Sequence, residues 1–67
     1  MINLIINGQN TKVENNSSLK DIITNLKIED KVMAAAVNMN IVKKDDWDNY
    51  IPKQDDKLEL LQFVGGG

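Results

Sequence analysis

The sequence contains no cysteine and no histidine. The first absence excludes a disulfide framework, a thiolate metal site and a cysteine nucleophile. The second removes the usual general base and the commonest protein ligand for metals. Positive charge is not in excess: the formal net charge is -2 and the sequence pI is about 4.8. That balance argues against a nucleic-acid surface, where a basic patch is the rule, and suits a partner with a basic groove. No apolar run approaches the roughly 20 residues that a membrane span requires. Met1 leads directly into an alternating apolar pattern, without a charged stretch and apolar segment, so no targeting signal is expected. With the lack of cysteine, this leads us to expect a cytoplasmic protein that uses neither membrane nor nucleic acid as a partner.

What is present is a small globular composition, with 42% hydrophobic and 27% charged residues in a chain of 67. That length corresponds to one domain, near the lower limit at which a single core holds a fold without staples.

Ile2–Ile6 is isoleucine-rich and reads as a strand. Ile2, Leu4 and Ile6 fall on one face, and Asn3, Ile5 and Asn7 on the other. Asn7-Gly8 is a strong hairpin signal, because both central positions of a type I′ turn need positive φ. It predicts a second, polar edge strand over residues 10–14, with Thr11 and Val13 on one face. After the turn chemistry of Asn15, Asn16 and Ser17, Ser18 reads as a helix N-cap with Asp21 three residues on. Leu19, Ile22, Ile23 and Leu26 form the apolar stripe of a helix ending near Lys27. Val32–Val37 reads as a strand in which Met33, Ala35 and Val37 alternate with Ala34 and Ala36. Alanine is a poor strand former, so its use here predicts a crowded face with the helix packed close. Asn38, Met39 and Asn40 predict a tight turn, and Ile41 and Val42 a short strand. Asp45 or Asp46 is placed to cap a single helical turn carrying Trp47. Pro52 keeps Ile51 extended, and residues 53–56 turn the chain into a final strand. A hairpin, one helix and further strands make a two-layer α+β domain, with one sheet face left uncovered by the single helix.

Candidate catalytic groups are few. Asp45, Asp46 and Asp48, and Asp55 and Asp56, lie in hydrophilic stretches where aspartate serves caps and turns. Neither cluster has the alternating acidic residues and central glycine of a calcium loop. Thr11, Ser17, Ser18 and Thr24 have no histidine to activate them. Lys43 and Lys44 have no glycine-rich phosphate loop beside them. Trp47 is expected to be a core or rim anchor. The chain is therefore not expected to be an enzyme.

The stretch K-L-E-L-L-Q-F-V-G-G-G remains, an apolar strand running into three glycines. If Leu58 and Leu60 meet the helix, Leu61 and Phe63 point to the uncovered face together with Ile5. Those three residues are predicted to form an apolar docking patch beside the glycines.

These features resemble the ubiquitin-like sulfur carrier proteins, and most closely the ThiS family of thiamine biosynthesis. The resemblance runs the length of the chain. It covers the short first hairpin, the helix begun by S-S-L-K-D-I-I, the segment A-A-A-V-N-M-N-I-V, Trp47, the turn and strand D-D-K-L-E-L-L, and the final F-V-G-G-G. It implies a β-grasp fold: a mixed sheet of four to five strands with one helix on one face, and the first and last strands as parallel neighbours at the centre. The domain would span residues 1–64, with residues 65–67 as a flexible tail. It also implies a protein that is itself the substrate. The Gly67 carboxylate would be adenylated by a ThiF-type activating enzyme that consumes ATP, with no cofactor bound by the carrier. Sulfur from a cysteine-desulfurase persulfide would then convert it to a thiocarboxylate for the thiazole synthase ThiG. The small subunit of molybdopterin synthase, a MoaD-like sulfur carrier, shares fold, tail and chemistry but is usually longer. A ubiquitin-like binding module whose tail is never activated is the alternative of another class.

The chemistry explains why such a tail is made of glycine. A terminal carboxyl, with an ordinary pKa of about 3.5, is an anion and a poor electrophile at neutral pH until a leaving group is attached. Without a Cβ, Gly67 leaves the carboxyl unhindered, and Gly65 and Gly66 can take the backbone angles a narrow channel demands. Three extended residues reach about 10 Å, enough to enter an active site while the patch docks outside.

Overall fold

The computed structural model describes residues 1–63. In chain order it contains β1 (Ile2–Ile6), β2 (Gln9–Val13), α1 (Leu19–Asn25), β3 (Val32–Val37), β4 (Asn40–Val42), a 3₁₀ turn (Lys44–Asp46) and β5 (Lys57–Gln62). The strands form one five-stranded sheet in the order β2-β1-β5-β3-β4. β1 and β5 are parallel neighbours at its centre; the other pairs are antiparallel. This is the β-grasp arrangement that the family resemblance implies.

The Asn7-Gly8 turn forms as predicted, with φ of 49° and 83°. It sets the register in which Ile2 faces Val13 and Leu4 faces Thr11. α1 starts at a complete capping box: Ser18 Oγ accepts from the Asp21 N–H at 3.0 Å, and Asp21 Oδ2 accepts from the Ser18 N–H at 3.2 Å. The next free donors of the helix are also taken, Leu19 N–H by the Tyr50 carbonyl and Lys20 N–H by the Trp47 carbonyl. The helix closes through Lys27 at φ 63°. Lys27 N–H donates to Thr24 C=O and Ile28 N–H to Ile23 C=O, the paired bonds of a Schellman motif with lysine where glycine is usual. The apolar stripe is consequently one turn shorter than predicted. Leu19, Ile22 and Ile23 are buried, while Leu26 is the C-cap and is exposed.

Those three helix residues join Leu4, Ile6, Val32, Ala35, Val37, Val42, Leu58 and Leu60 in one core. Burying each leucine or isoleucine stabilises the fold by about 1.5–3 kcal/mol. Trp47 seals one end of this core, as an anchor should. It is buried and its Nε1–H donates to the Val42 carbonyl at 2.9 Å.

Two expectations are corrected. The 3₁₀ turn is preceded by Lys43, with no side-chain cap, so neither Asp45 nor Asp46 caps it. In β3 a bulge between Val32 and Ala34 breaks the alternation, leaving Met33 exposed instead of beside Ala35 and Val37. Ala35 does sit in the core, whereas Ala34 and Ala36 are half-buried on alternate positions.

Candidate functional site

β5 is the inner strand on which the candidate site is built. Its backbone is held by β1 on one side and β3 on the other. Alternation sends Leu58 and Leu60 into the core and leaves Lys57, Glu59 and Leu61 on the open face. Leu61 is 62% exposed and Phe63, just past the strand, 60%. Ile5 lies on the uncovered side of β1 and is half-buried.

The three residues of the predicted patch are spread along the sheet. Ile5 pairs with Lys57, so Leu61 lies about 13 Å further along β5 at ~3.3 Å per residue. The closer apolar neighbours of Leu61 come from the other side. Ala34 is its direct partner across β3, Ala36 is paired with Ile41 of β4, and Ile41 is 71% exposed. Ala34, Ala36, Ile41 and Leu61, with Glu59 at the margin, line a shallow depression of about 250 Å³. The two alanines form its floor because they lack the bulk to fill it, and the two larger side chains form its walls. The sequence reading missed Ile41, Ala34 and Ala36. The signal was available in β4, since a buried Val42 requires Ile41 to face the other way.

Two asparagines in the left-handed region grip β5 from opposite sides. Asn38 (φ 50°) sits in the β3–β4 turn. Its N–H donates to Lys57 C=O, its Oδ1 accepts from Lys57 N–H, and its Nδ2 donates to Asp56 Oδ1, at 2.8–2.9 Å. Asn7 (φ 49°) does the same from the β1–β2 turn. Its Oδ1 accepts from Leu60 N–H at 2.8 Å and its Nδ2 donates to Leu60 C=O at 3.3 Å.

The acidic residues serve turns. Asp56 Oδ2 accepts from Lys53 N–H at 2.8 Å, and Asp55 adopts φ 70° and donates its N–H to Asn3 C=O. Asp48 lies 3.8 Å from Lys20 in an exposed pair, an arrangement of little energetic weight. Lys44 Nζ stands 5.8 Å from the centre of the Trp47 ring. Among the described residues no group of three or more aspartates or glutamates is placed to hold a metal ion, and no helix is long and apolar enough to cross a membrane. The N-terminus of α1 offers no anion site, because its donors are already occupied. Gly65, Gly66 and Gly67, predicted to carry the tail and the reactive carboxylate, and Val64, the predicted domain end, lie outside the described residues.

Comparison with known proteins agrees with this geometry. A sequence model of the ThiS family matches residues 4–67. The chain is 28% identical over 64 residues to a thiazole synthase of Paramagnetospirillum magneticum. That match covers 96% of the chain but only 20% of the thiazole synthase. It is 29% identical over 62 residues to the protein ycf40 of Trieres chinensis, covering 92% of this chain and 85% of that one. The crystal structure of the thiamine biosynthesis protein ThiS from Geobacter metallireducens superposes with a TM-score of 0.81 at 26% identity, over 98% of this chain and all of that one. An NMR structure of a thiamine biosynthesis protein from the same organism gives 0.76 at 25% identity, over 98% of this chain and 88% of that one.

Proposed function

This chain belongs to the ThiS family, and from that starting point we propose that it is a sulfur carrier whose Gly67 carboxylate is the reactive group. The observation that carries the proposal is the family match itself, which continues through the three glycines to residue 67. On this reading residues 1–64 are the carrier domain and residues 65–67 the tail that enters partner active sites.

The chemistry follows in three steps. In a ThiF-type enzyme the carboxylate oxygen attacks the α-phosphate of ATP, pyrophosphate leaves, and the carboxyl becomes an acyl adenylate. The terminal sulfur of a cysteine persulfide then attacks the carbonyl carbon and AMP leaves. A second thiolate attacks the cysteine-side sulfur of the resulting acyl disulfide, a new disulfide forms between those two sulfurs, and the thiocarboxylate is released as the leaving group on Gly67. The carrier's part is placement. Docking through the open face makes attack at the end of the tail effectively intramolecular. The depression walled by Ile41 and Leu61, with Phe63 beyond it, is the surface we assign to that docking. Its apolar area offsets the entropy lost when the glycines are ordered.

The recipient we propose is thiazole synthase. A protein of that name contains a stretch similar to nearly all of this chain, which favours thiazole formation over molybdopterin synthesis. Intact-mass measurement tests the reading. Incubation with the adenylating enzyme, ATP and a persulfide donor is expected to add the mass difference between one sulfur and one oxygen. The gain should vanish when Gly67 is deleted. An unchanged mass with a competent partner would favour a binding module with an inert tail.

A further inference from the structure

We propose that the side chain of Asn7 is a positioning residue: its carboxamide replaces a missing peptide group of the central ladder and so sets the course of β5 toward the reactive end. The functional half of this inference rests on the sulfur-carrier reading; the structural half does not.

β1 ends at Ile6, and the chain reverses through Asn7 and Gly8 into β2. β5 continues alongside for several more residues, so its last part has outrun its parallel partner. The backbone groups that face β1 are those of Asp56, just before β5, and of Leu58, Leu60 and Gln62 within it, at alternate positions. Asp56 C=O accepts from Ile5 N–H at 3.0 Å, and Leu58 C=O accepts from Asn7 N–H at 2.9 Å. The next rung needs a donor and an acceptor from a strand that is no longer there. The Asn7 carboxamide supplies both, to the C=O and the N–H of Leu60. A primary amide carries the same donor and acceptor as a peptide group, and here it closes the ladder one rung beyond the backbone. On this side no described residue bonds β5 beyond Leu60. On the β3 side, contact continues to Phe63, whose N–H donates to the Lys31 carbonyl. Without Asn7, the end of β5 would be held from one side alone.

Three demands meet at this position. The backbone needs a φ of 49°, which asparagine tolerates better than other residues with a side chain. The side chain needs an acceptor for Leu60 N–H and a donor for Leu60 C=O. Glycine satisfies the first demand only. Aspartate satisfies the first two and sets an oxygen against the Leu60 carbonyl. The turn signal explains the asparagine only in part, because a type I′ turn is indifferent to what its side chain bonds.

The test compares Asn7→Gly, which keeps the turn and loses both bonds, with Asn7→Asp, which keeps the acceptor. Both are made in the full chain. In Asn7→Gly the Leu60 amide is expected to exchange with solvent about tenfold faster or more, the Leu58 amide to be unchanged, and the residual dipolar couplings of Leu61, Gln62 and Phe63 to shrink. Asn7→Asp should fall between Asn7→Gly and the unsubstituted chain. In ATP–pyrophosphate exchange with the adenylating enzyme, kcat should fall about tenfold, and the KM for the carrier should rise as well, because Leu61 and Phe63 of the docking face lose their fixed placement together with the strand end. A merely stabilising residue would lower Tm and leave kcat alone at temperatures well below it. Unchanged Leu60 exchange, or lost order at residues 61–63 with full kcat, would overturn the proposal. If the unsubstituted chain is not adenylated at all, the sulfur-carrier reading fails, and the placement of β5 by Asn7 is decided by the exchange rates and couplings.

Discussion

The two faces of the sheet use the same strands and opposite outcomes. On one, Leu4, Ile6, Val37, Leu58 and Leu60 are buried beneath α1 and Trp47. On the other, Ile41 and Leu61 stand largely exposed around a floor of Ala34 and Ala36. The residue types overlap, since leucine and isoleucine occur on both. What separates them is cover: a seven-residue helix carries enough apolar surface for one side of a five-stranded sheet and none for the other. Apolar side chains on the covered face hold the fold. Those on the uncovered face contribute little to folding and remain available for association.

This contrast is sharpest in adjacent residues of β5. Leu60→Ala, on the covered face, is expected to destabilise the domain by about 2–5 kcal/mol through lost burial and a residual cavity, read as a fall in the urea midpoint. Leu61→Asp, one residue on, should leave that midpoint nearly unchanged. It should instead reduce kcat/KM for adenylation by about tenfold or more, because a carboxylate would be desolvated at the interface. Phe63→Asp should behave like Leu61→Asp. Unfolding of that variant would move Phe63 into the core and erase the contrast at this end of the sheet. Ser18→Ala removes the cap that seats α1 over the covered face and should cost about 1 kcal/mol in stability with unaltered adenylation. Lys20→Ala, which breaks the exposed pair with Asp48, should change stability by no more than about 0.5 kcal/mol, measured by thermal unfolding.

Much of the covered face was legible in the sequence, because it follows from periodicity. Leu4 and Ile6, Leu58 and Leu60, and Leu19, Ile22 and Ile23 repeat at the spacing of their elements. The start of α1 was legible from Ser18 and Asp21. Its end near Lys27 was legible from where the apolar stripe stops, but the form of the closure was not, since the left-handed residue is a lysine where the usual marker is glycine. The bulge at Met33 left no trace in residue type, so the alternation of β3 was read one position too far. The open face was legible only in outline. Ile5, Leu61 and Phe63 follow from alternation, but their separation along the sheet depends on the stagger between β1 and β5. That stagger is set by long-range pairing, not by any local pattern. The side-chain roles of Asn7 and Asn38 were hidden for the same reason. Both asparagines are already accounted for by the turns they occupy, and their second task appears only once β5 lies beside them.

The central position of β5 also has a mechanical consequence. It is flanked on both sides, in parallel register with β1 and antiparallel with β3. Tension applied to its far end acts along the strand axis. The rungs on both flanks are then loaded in shear and must yield together, whereas an edge strand would peel away rung by rung. A domain built this way resists tension along β5 without unravelling from that strand's end.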